Sequence, residues 1–378
     1  MEKEWSLLPD TSARAVEFSQ RIGTTPFTAA LLLHRGITSD EEARAFLHPE
    51  KQPFHDPFLM RDMEKAVSRI EQAIEAQERI VVYGDYDVDG ITATSLLCRN
   101  LRQLGAAADY FIPHRQKDGY GLHKETLDEI IAGGAGLIVT VDCGISAVEE
   151  AAAAKDKVDL IITDHHLPGK ELPKALAVID PHRADCSYPD KNIAGVGVAF
   201  KLCQALWQKM RGKAFTGDLD IVALGTVADV VPLLGENRKI VQQGLRVLKK
   251  SKRPGIQALL AVTELQEKEI TAGHIGFVLA PRLNAAGRLA SALRGVELLL
   301  TEDGEEAQAI AEELDAANRE RQAVEQEILQ AAEKQIEEID VKRAHVLVLH
   351  GEGWHPGVIG IVASRIVERY YRPTVIIA

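Results

Sequence analysis

Short runs of consecutive apolar residues alternate along the chain with longer stretches in which apolar positions recur at a helical period. Four of these runs are rich in β-branched residues, and they cover residues 79–83, 137–141, 160–163 and 176–179. Helical patterns lie between them. Apolar runs without alternation are typical of strands that are buried on both faces. The pattern therefore predicts an α/β fold in which helices cover both faces of a parallel sheet.

A long, Glu-rich helical pattern follows over residues 305–339. At ~1.5 Å per residue it would be about 50 Å long, which favours a helix that connects two domains. Two further apolar runs, 345–349 and 374–377, predict strands of a second, smaller α/β domain. These patterns divide the chain into a leader with one short helix over 38–47, a first domain, the connecting helix and a second domain; the four parts cover 1–55, 56–303, 304–340 and 341–378. The last part is short for a domain, so we expect a truncated domain or a fragment of a longer chain.

Composition narrows the class of protein. The 378 residues include 44 Lys and Arg against 56 Asp and Glu, a net charge of −12, which argues against a protein that simply coats nucleic acid but leaves room for a local basic groove. The 4 cysteines form no C-x-x-C pair, so we expect reduced thiols rather than a zinc site. The first residues lack an apolar signal segment, and no apolar run approaches the roughly 18 residues of a membrane span. We therefore expect a soluble, cytoplasmic protein without membrane contact.

Each of the four predicted strands is followed within one or two residues by an aspartate. These acids are Asp85, Asp142, Asp164 and Asp180. In an open parallel sheet the ligand crevice lies outside the carboxyl ends of the strands. The sequence therefore predicts that four strands deliver carboxylates to one edge of the sheet.

The first of these acids belongs to the segment D-Y-D-V-D-G, which places Asp85, Asp87 and Asp89 at alternate positions. An EF-hand loop begins in the same way, but it requires a bidentate Glu at its twelfth position, where this chain has Leu96. A phosphatase with an aspartate nucleophile in a D-x-D motif would use the first two acids, and it would leave the later motifs without a role.

Later motifs point to a metal site. Asp164, His165 and His166 directly follow an apolar run, and Asp229 lies in the segment A-D-V-V-P-L. Carboxylates with one or two imidazoles and no thiolate suit Mn²⁺ or Mg²⁺. Four or five carboxylates in one crevice would repel one another without cations, so two metal ions fit the count better than one. A two-metal site clamps the attacking and leaving oxygens of a phosphoryl displacement.

Ordered motifs along the chain resemble the DHH phosphoesterase superfamily and, within it, the RecJ family of single-strand-specific exonucleases. They are D-Y-D-V-D-G, V-D-C-G, D-H-H and A-D-V-V-P-L together with P-R-L-N-A-A-G-R and G-W-H-P-G-V-I-G at residues 281–288 and 353–360. The resemblance covers roughly residues 55–378.

The resemblance implies a set of metal ligands for two Mn²⁺ or Mg²⁺ ions. They are Asp87, Asp89, Asp142, His165 and Asp229. Among them, Asp142 would bridge the two ions. One position departs from the superfamily's pyrophosphatase members, which have a His where this chain has Tyr83. This difference favours the exonuclease branch.

The resemblance also implies roles in catalysis for His166, Asp164 and Arg288. His166 would contact the scissile phosphate or orient the site, while Asp164 and Asp85 would hold loops or imidazole rings in place. Gly195-Val196-Gly197 is half of a dinucleotide-binding fingerprint, and we interpret it as helix packing.

Several further residues are expected to bind substrate phosphates. Arg115 lies in a polar, Gly-containing loop, and Asn284 and Arg288 belong to the P-R-L-N-A-A-G-R segment. The Gly-rich turn before a predicted helix over 358–371 is typical of an anion site. The side chains expected near a terminal phosphate are His355, Ser364 and Arg365.

The resemblance implies a 5′→3′ exonuclease that is specific for single-stranded DNA, releases 5′-mononucleotides and acts in DNA repair and recombination. Its expected partners are single-stranded DNA and a single-strand-binding protein or a helicase, and its expected state is monomeric. Two alternatives stay open at this point. One is a DHH phosphodiesterase that acts on short oligonucleotides or cyclic dinucleotides, and the other is a non-catalytic DNA-binding scaffold.

Overall fold

The structure is a computed structural model that describes residues 6, 10–115, 118–289 and 291–378, without the side chains of Ala286, Arg288 and Leu289. Seven strands are found in the described residues: β1 Arg79–Gly84, β2 Ala107–Phe111, β3 Leu137–Val141, β4 Asp159–Thr163, β5 Ala177–Ile179, β6 Leu347–His350 and β7 Thr374–Ile377. The α-helices of the first part are α1 Ser12–Ile22, α2 Pro26–His34, α3 Asp40–Leu47, α4 Met63–Glu75, α5 Val88–Leu104, α6 Lys124–Ala132, α7 Val148–Ala154 and α8 Gly195–Arg211. They are followed by α9 Leu219–Ala228, α10 Gly235–Lys249, α11 Pro254–Val262, α12 Ala272–His274, α13 Ala280–Leu289, α14 Leu293–Leu300, α15 Gly304–Glu337 and α16 Pro356–Tyr370.

The predicted α/β fold is confirmed. Strands β1 to β5 form one parallel sheet in the order β2-β1-β3-β4-β5. Alternate side chains of each strand enter two different apolar cores: Val82 and Val139 face the core under α4, α5 and α8, whereas Val81 and Ile138 face the core under α6 and α7. Because both faces are covered, β3 is buried at every position, which explains its uninterrupted apolar run.

The predicted long helix is α15, which has 34 residues. Its first turns share an apolar core with α11, α13 and α14, to which Ile310 and Leu314 contribute. Its last turns pack on α16 and β6 through Ile328 and Ile336. The helix is therefore buried along one side against two different cores, and β6 and β7 form a separate two-stranded parallel sheet at its far end.

The leader contains more structure than the single helix predicted over 38–47. Helices α1 and α2 precede α3 and share a small core with it that includes Phe18 and Leu32. The signals were local: Gly23 ends α1 in a left-handed conformation, and the Thr25 side chain accepts a hydrogen bond from the N–H of Thr28 at the start of α2. The helix α2 was missed because most of its positions are apolar, which leaves no helical period to detect, and α1 was missed with it.

A buried ion pair attaches the end of the leader to the helices α8 and α10. The ammonium of Lys201 on α8 is fully buried and lies 2.6 Å from a carboxylate oxygen of Glu236 on α10. The same carboxylate accepts hydrogen bonds from the N–H of His55 and from the hydroxyl of Tyr188. Burial lowers the pKa of Lys201, and the neighbouring carboxylate of Glu236 opposes this shift.

None of the described helices combines the length and apolarity that crossing a membrane requires. The four cysteines, Cys98, Cys143, Cys186 and Cys203, are buried free thiols, as predicted.

Glu236→Ala is expected to destabilise the protein by about 3–5 kcal/mol, because it leaves the buried Lys201 ammonium without its partner. Urea unfolding followed by circular dichroism measures the change. Glu64→Ala is the matched control, since Glu64 pairs with Lys209 on the surface, where an ion pair is worth at most about 1 kcal/mol. Equal losses of stability in the two variants would contradict the structural role given to the buried pair.

Candidate metal centre

The four strand-end aspartates lie side by side at one edge of the sheet, as predicted. Gly84, Val141, Thr163 and Ile179 are register partners across β1, β3, β4 and β5. Each of these residues is followed directly by one of the acids. Because neighbouring strands lie about 4.8 Å apart, the register alone brings adjacent carboxylates within reach of a shared ion.

Three overlapping groups of side chains in the described residues could each hold a metal ion, with ligand atoms that all lie within 4.8 Å of one another. The groups are Asp142 with His165 and His166, Asp89 with His165 and Asp229, and Asp85 with Asp87 and Asp142. Asp142 and His165 each belong to two groups. All five residues expected as ligands are therefore brought together. Asp180 reaches the same edge but belongs to none of these groups.

His165 lies at the centre of the arrangement. Its Nε2 is 3.1 Å from Asp142 Oδ1, 3.7 Å from Asp229 Oδ2 and 3.8 Å from Asp89 Oδ2. Neither His165 Nε2 nor Asp142 Oδ1 has a hydrogen-bond partner among the described residues, although both atoms are buried. Ligand atoms about 2.1 Å from an octahedral ion lie about 3 Å apart, so these unpartnered atoms have the spacing of a coordination shell. The residues present therefore fit a hard divalent cation.

Two helix N-termini hold the acids of the D-Y-D-V-D-G segment. Asp87 caps α5, since its Oδ1 accepts from the N–H groups of Asp89 and Gly90 at 2.9 and 3.1 Å. Asp89 reaches across to α8, where its two oxygens accept from Gly195 N–H at 2.7 Å and from Val196 N–H at 2.8 Å. Helix N-termini favour negative charge, so both contacts stabilise the ionised carboxylates.

Gly195 has a second role in the site. A Cβ at this position would lie 2.5 Å from Asp142 Oδ1 and 2.8 Å from Asp142 Cγ. The absence of a side chain therefore leaves room for Asp142, whose own backbone is in the left-handed region with φ of 61°. The interpretation of the G-V-G segment as helix packing holds for Gly197, which packs on Ile193, but it missed this part of Gly195. An aspartate-facing glycine leaves no signal in a single sequence.

Asp164 faces away from the proposed ligand atoms and holds the histidine loop. Its Oδ1 accepts from His165 N–H at 2.7 Å and lies 2.7 Å from His166 Nδ1, while its Oδ2 accepts from Ile145 N–H at 2.9 Å. The ring of His166 is half-exposed and also contacts the hydroxyl of Tyr120 at 3.2 Å. These contacts fix the orientation of His166 at the mouth of the centre. The sequence analysis did not single out Tyr120 itself.

The acids of the centre resist simultaneous ionisation. Burial, together with neighbouring carboxylates, raises the pKa of Asp85, Asp89 and Asp229 to about 7. Burial and then Asp89 raise the pKa of Asp142 well above its usual range. The hydrogen bond to Asp164 raises the pKa of His166 to about 9, whereas burial lowers the pKa of His165. Bound cations would relieve this repulsion.

The chain is similar to known proteins over nearly its whole length. The family model described as "DHH family, N-terminal domain" matches residues 79–226. The single-stranded-DNA-specific exonuclease RecJ of Bacillus subtilis is 42% identical over 374 residues, which cover 99% of this chain and 47% of the relative. A crystal structure of exonuclease RecJ bound to manganese is 39% identical with a TM-score of 0.78, and the match covers 86% of this chain and 82% of that one.

The chain belongs to the RecJ family. RecJ of Thermus thermophilus in complex with Mn²⁺ is also similar, with 35% identity, a TM-score of 0.83 and coverage of 98% of this chain and 52% of that chain. A complex of the same protein with Mg²⁺ has a TM-score of 0.74. The chain thus spans about half the length of these relatives from Bacillus and Thermus.

This RecJ-family chain has a residue with a structural role, Tyr83, where the pyrophosphatase pattern has a His. Tyr83 is buried in β1, stacks on Phe111 and donates a hydrogen bond from its hydroxyl to the carbonyl of Gly121 at 2.9 Å. It belongs to none of the candidate metal groups of the described residues.

Asp85, for which we expected an indirect role, is placed differently: its buried Oδ1 has no hydrogen-bond partner in the described part of the chain, and the residue groups with Asp87 and Asp142. Asp85 is therefore placed where it could bind a metal ion directly as well as hold neighbouring ligands in position.

The expected phosphate-binding residues of the first domain lie around the D-Y-D-V-D-G segment. The guanidinium of Arg115 lies 4.9 Å from the centroid of the Tyr86 ring. Asn284 on α13 uses its side-chain carbonyl to accept from Val88 N–H at 3.1 Å, so it supports the metal-binding segment. The side chain of Arg288 lies outside the described residues.

The expected phosphate-binding residues near the chain end lie on α16. His355 caps the helix by accepting from Gly357 N–H at 3.1 Å, and Ser364 bonds the carbonyl of Gly360 at 3.1 Å. Arg365 lies 2.5 Å from the buried carboxylate of Glu325 on α15 through its Nε. His355 and Arg365 are about 15 Å apart along the helix axis, so they lie at different levels of α16.

Gly195→Ala is expected to weaken Mn²⁺ binding by roughly tenfold or more, because the new methyl group displaces the Asp142 carboxylate or the α8 N-terminus. Isothermal titration calorimetry measures the affinity. Gly304→Ala serves as the control, since a Cβ there meets nothing within 4 Å. Unchanged Mn²⁺ affinity in Gly195→Ala would show that Asp142 is not held as described.

The metal-free protein is expected to lose thermal stability as the pH rises from about 5 to about 7. The folded pKa values of Asp85, Asp89 and Asp229, about 7, exceed the ordinary unfolded value. The stability linked to such groups is complete below their unfolded pKa and is lost as the pH rises through the folded pKa. Saturating Mn²⁺ binds the ionised form and should abolish the loss.

Calorimetric melting at both pH values, with EDTA or with Mn²⁺, tests this expectation. Asp180 has a pKa of about 7 but lies outside the metal groups of the described residues, so Asp180→Asn defines the part of the slope that Mn²⁺ leaves unchanged. The same slope with and without Mn²⁺ in the Asp180→Asn background would refute the metal assignment.

Proposed function

We propose that this chain carries the nuclease centre of a single-stranded-DNA-specific 5′→3′ exonuclease that releases 5′-mononucleotides. The observation that carries the proposal is the convergence of three carboxylates on the unpartnered Nε2 of His165 in the described structure. The naming of similar RecJ proteins as single-stranded-DNA-specific exonucleases supports the substrate class. The Mn²⁺ and Mg²⁺ complexes of the Thermus protein support the choice of metal.

Two divalent ions, Mn²⁺ or Mg²⁺, fit the donor set. One ion would be held by Asp85, Asp87 and Asp142. The other would be held by Asp89, His165 and Asp229, again with Asp142. When bound, such ions neutralise charge on the scissile phosphate and lower the pKa of the attacking water. This assignment adds Asp85 to the ligands expected from the sequence.

The chain's own residues position the substrate. Asp164 keeps His166 protonated and oriented at the mouth of the centre, where its ring can donate a hydrogen bond to a non-bridging oxygen of the phosphate. The two helix N–H groups that Asp89 accepts favour its ionised form, and Asn284 holds the backbone of the metal-binding segment. Each contact reduces the movement needed to reach the transition state.

The phosphate contacts form the second part of the proposal. We assign Arg115 to a phosphate near the metal centre and Arg365, with Ser364, to the terminal phosphate. Arg365 approaches Glu325 most closely through its Nε, and its side chain is half-exposed. This leaves the bidentate edge of the guanidinium available. His355 then acts as the cap that shapes the start of α16, and Arg288 stays a predicted contact.

The domain boundaries expected from the sequence are retained as a proposal. Separate apolar cores support them, since the core around Ile328 and Val358 shares no residue with that around the sheet or with that of the leader. The cytoplasmic location, the monomeric state and protein partners stay predictions.

Asp87→Ala is expected to lower the rate of mononucleotide release by roughly 10²-fold or more, because it removes both a metal ligand and the cap of α5. The assay uses a 3′-labelled single strand with a 5′-phosphate, with and without Mn²⁺. Asp156→Ala is the control, since Asp156 is an exposed acid outside the candidate metal groups of the described residues. Hydrolysis limited to di- and trinucleotides would favour the small-substrate phosphodiesterase, and shortening from the 3′ end would reject the polarity.

A further inference from the structure

The three most exposed large apolar side chains in the described part of the chain lie on segments that adjoin or pack against residues of the metal centre. Phe277, Val230 and Leu167 are 87%, 84% and 79% exposed, and together they are called the apolar rim. Leu167 directly follows His166, and Val230 directly follows Asp229. Two of the three therefore lie one residue from side chains that the nuclease centre uses.

Phe277 reaches the same region from another element. It lies on a π-helical turn, Ile275–Leu279, between α12 and α13. This turn contacts α9, and a Cβ on Gly276 would lie 3.9 Å from the side chain of Val227, in the last turn before Asp229. Single π-helical turns occur frequently at functional sites.

Val230 adopts an unfavourable backbone conformation at its position. Its φ is 63°, in the left-handed region that β-branched residues strongly disfavour. Its side chain is almost fully in water, so no packing within the described structure offsets this strain. Asn or Gly would suit the backbone better. Val230 directly follows the C-cap Asp229 of α9, where a left-handed residue commonly ends a helix, so the fold explains the conformation but not the choice of an exposed valine.

We propose that the apolar rim contacts the unpaired nucleobases next to the scissile phosphate of single-stranded DNA. The inference rests on the proposed function. Aliphatic and phenyl side chains without charge match the faces of bases, which are hidden in a duplex but accessible in a single strand. Such contacts read no base edge, so they tolerate any sequence.

The charge of the centre explains why base contacts matter here. Several carboxylates surround the scissile phosphate and, apart from the cations, repel it. Beyond the contacts proposed for the cations, His166 and Arg115, the acidic surface adds little affinity for the strand backbone, in contrast to an ordinary basic groove. Apolar contacts to the bases attract the same nucleotides without adding charge.

Val230→Asn separates the backbone conformation of residue 230 from the apolar character of its side chain. Because Asn accepts the left-handed backbone, the variant should melt at a slightly higher temperature than the wild-type chain while it binds DNA less well. Glu264→Asn is the matched control, since Glu264 also has a positive φ, of 55°, and lies in the loop after α11. It should gain stability in the same way with unchanged activity. Val230→Ile, which keeps an apolar side chain, should lose less DNA affinity than Val230→Asn.

The decisive measurement pairs each variant with strands in which one of the first few 5′ nucleotides is abasic. In the wild-type chain, removal of the contacted base should lower kcat/KM roughly tenfold, the scale of one base contact. Val230→Asn should show a similar loss on the normal strand and little further loss on the abasic strand. Phe277→Ser and Leu167→Ser repeat the cycle for the other two side chains.

The proposal is overturned if the full effect of base removal persists in all three variants. Fluorescence anisotropy with the same strands, in Ca²⁺ so that no strand is cleaved, makes the same comparison of variants and abasic strands through the DNA affinity. If the wild-type chain cleaves no strand but the rim variants bind DNA more weakly, the nuclease activity is rejected and the role of the apolar rim is retained. Cleavage by the wild-type chain with unchanged rim variants would reject the rim and keep the nuclease.

Discussion

Negative charge concentrated at the edge of a parallel sheet is the constraint on which the rest of this structure depends. The register of four neighbouring strands delivers an aspartate from each to the same edge. Buried carboxylates at this spacing cannot all ionise in a low dielectric. The fold therefore needs a source of positive potential for each acid, and the elements around the sheet are arranged to supply it.

Backbone N–H groups meet part of this need. Asp89 accepts two from the start of α8, Asp87 accepts two from the start of α5, and Asp164 accepts three, from Ile145, His165 and His166. Asp85 and Asp142, in contrast, each keep a buried oxygen without a partner among the described residues. What remains unsatisfied at the centre is thus a small set of oxygen and imidazole atoms at ligand spacing, and a divalent cation is the simplest group that satisfies them together.

Helix α15 links this centre to the second sheet through charged contacts as well as apolar ones. Asp315 on α15 accepts a hydrogen bond from Arg282 on α13 at 2.8 Å, and Asn284, two residues further along α13, bonds the segment that holds Asp87 and Asp89. Further along α15, Glu325 lies between Arg321 and Arg365 of α16. Polar contacts therefore connect α16 to α15, α15 to α13, and α13 to the metal-binding segment.

The sequence predicted those parts of the site that follow from local pattern and sheet topology. Apolar runs that end in aspartate predicted both the strands and the edge at which Asp142 and Asp164 lie. It did not predict that α8 points its N-terminus at Asp89, because that contact joins positions 106 apart in the chain. The contact of Asn284 with Val88 is of the same kind, and a residue expected to bind phosphate turned out to bond the backbone.

Backbone strain separates structural from functional demands in this site. Asp142 and Val230 both adopt left-handed backbone conformations that their side chains disfavour, and both lie next to or within the ligand set. For Asp142 the folded chain itself provides the reason, since Gly195 leaves the space into which the carboxylate is turned. For Val230 the end of α9 explains the left-handed conformation but not the choice of a β-branched residue, because its side chain is exposed. The proposed contact of this side chain with substrate bases would account for that choice.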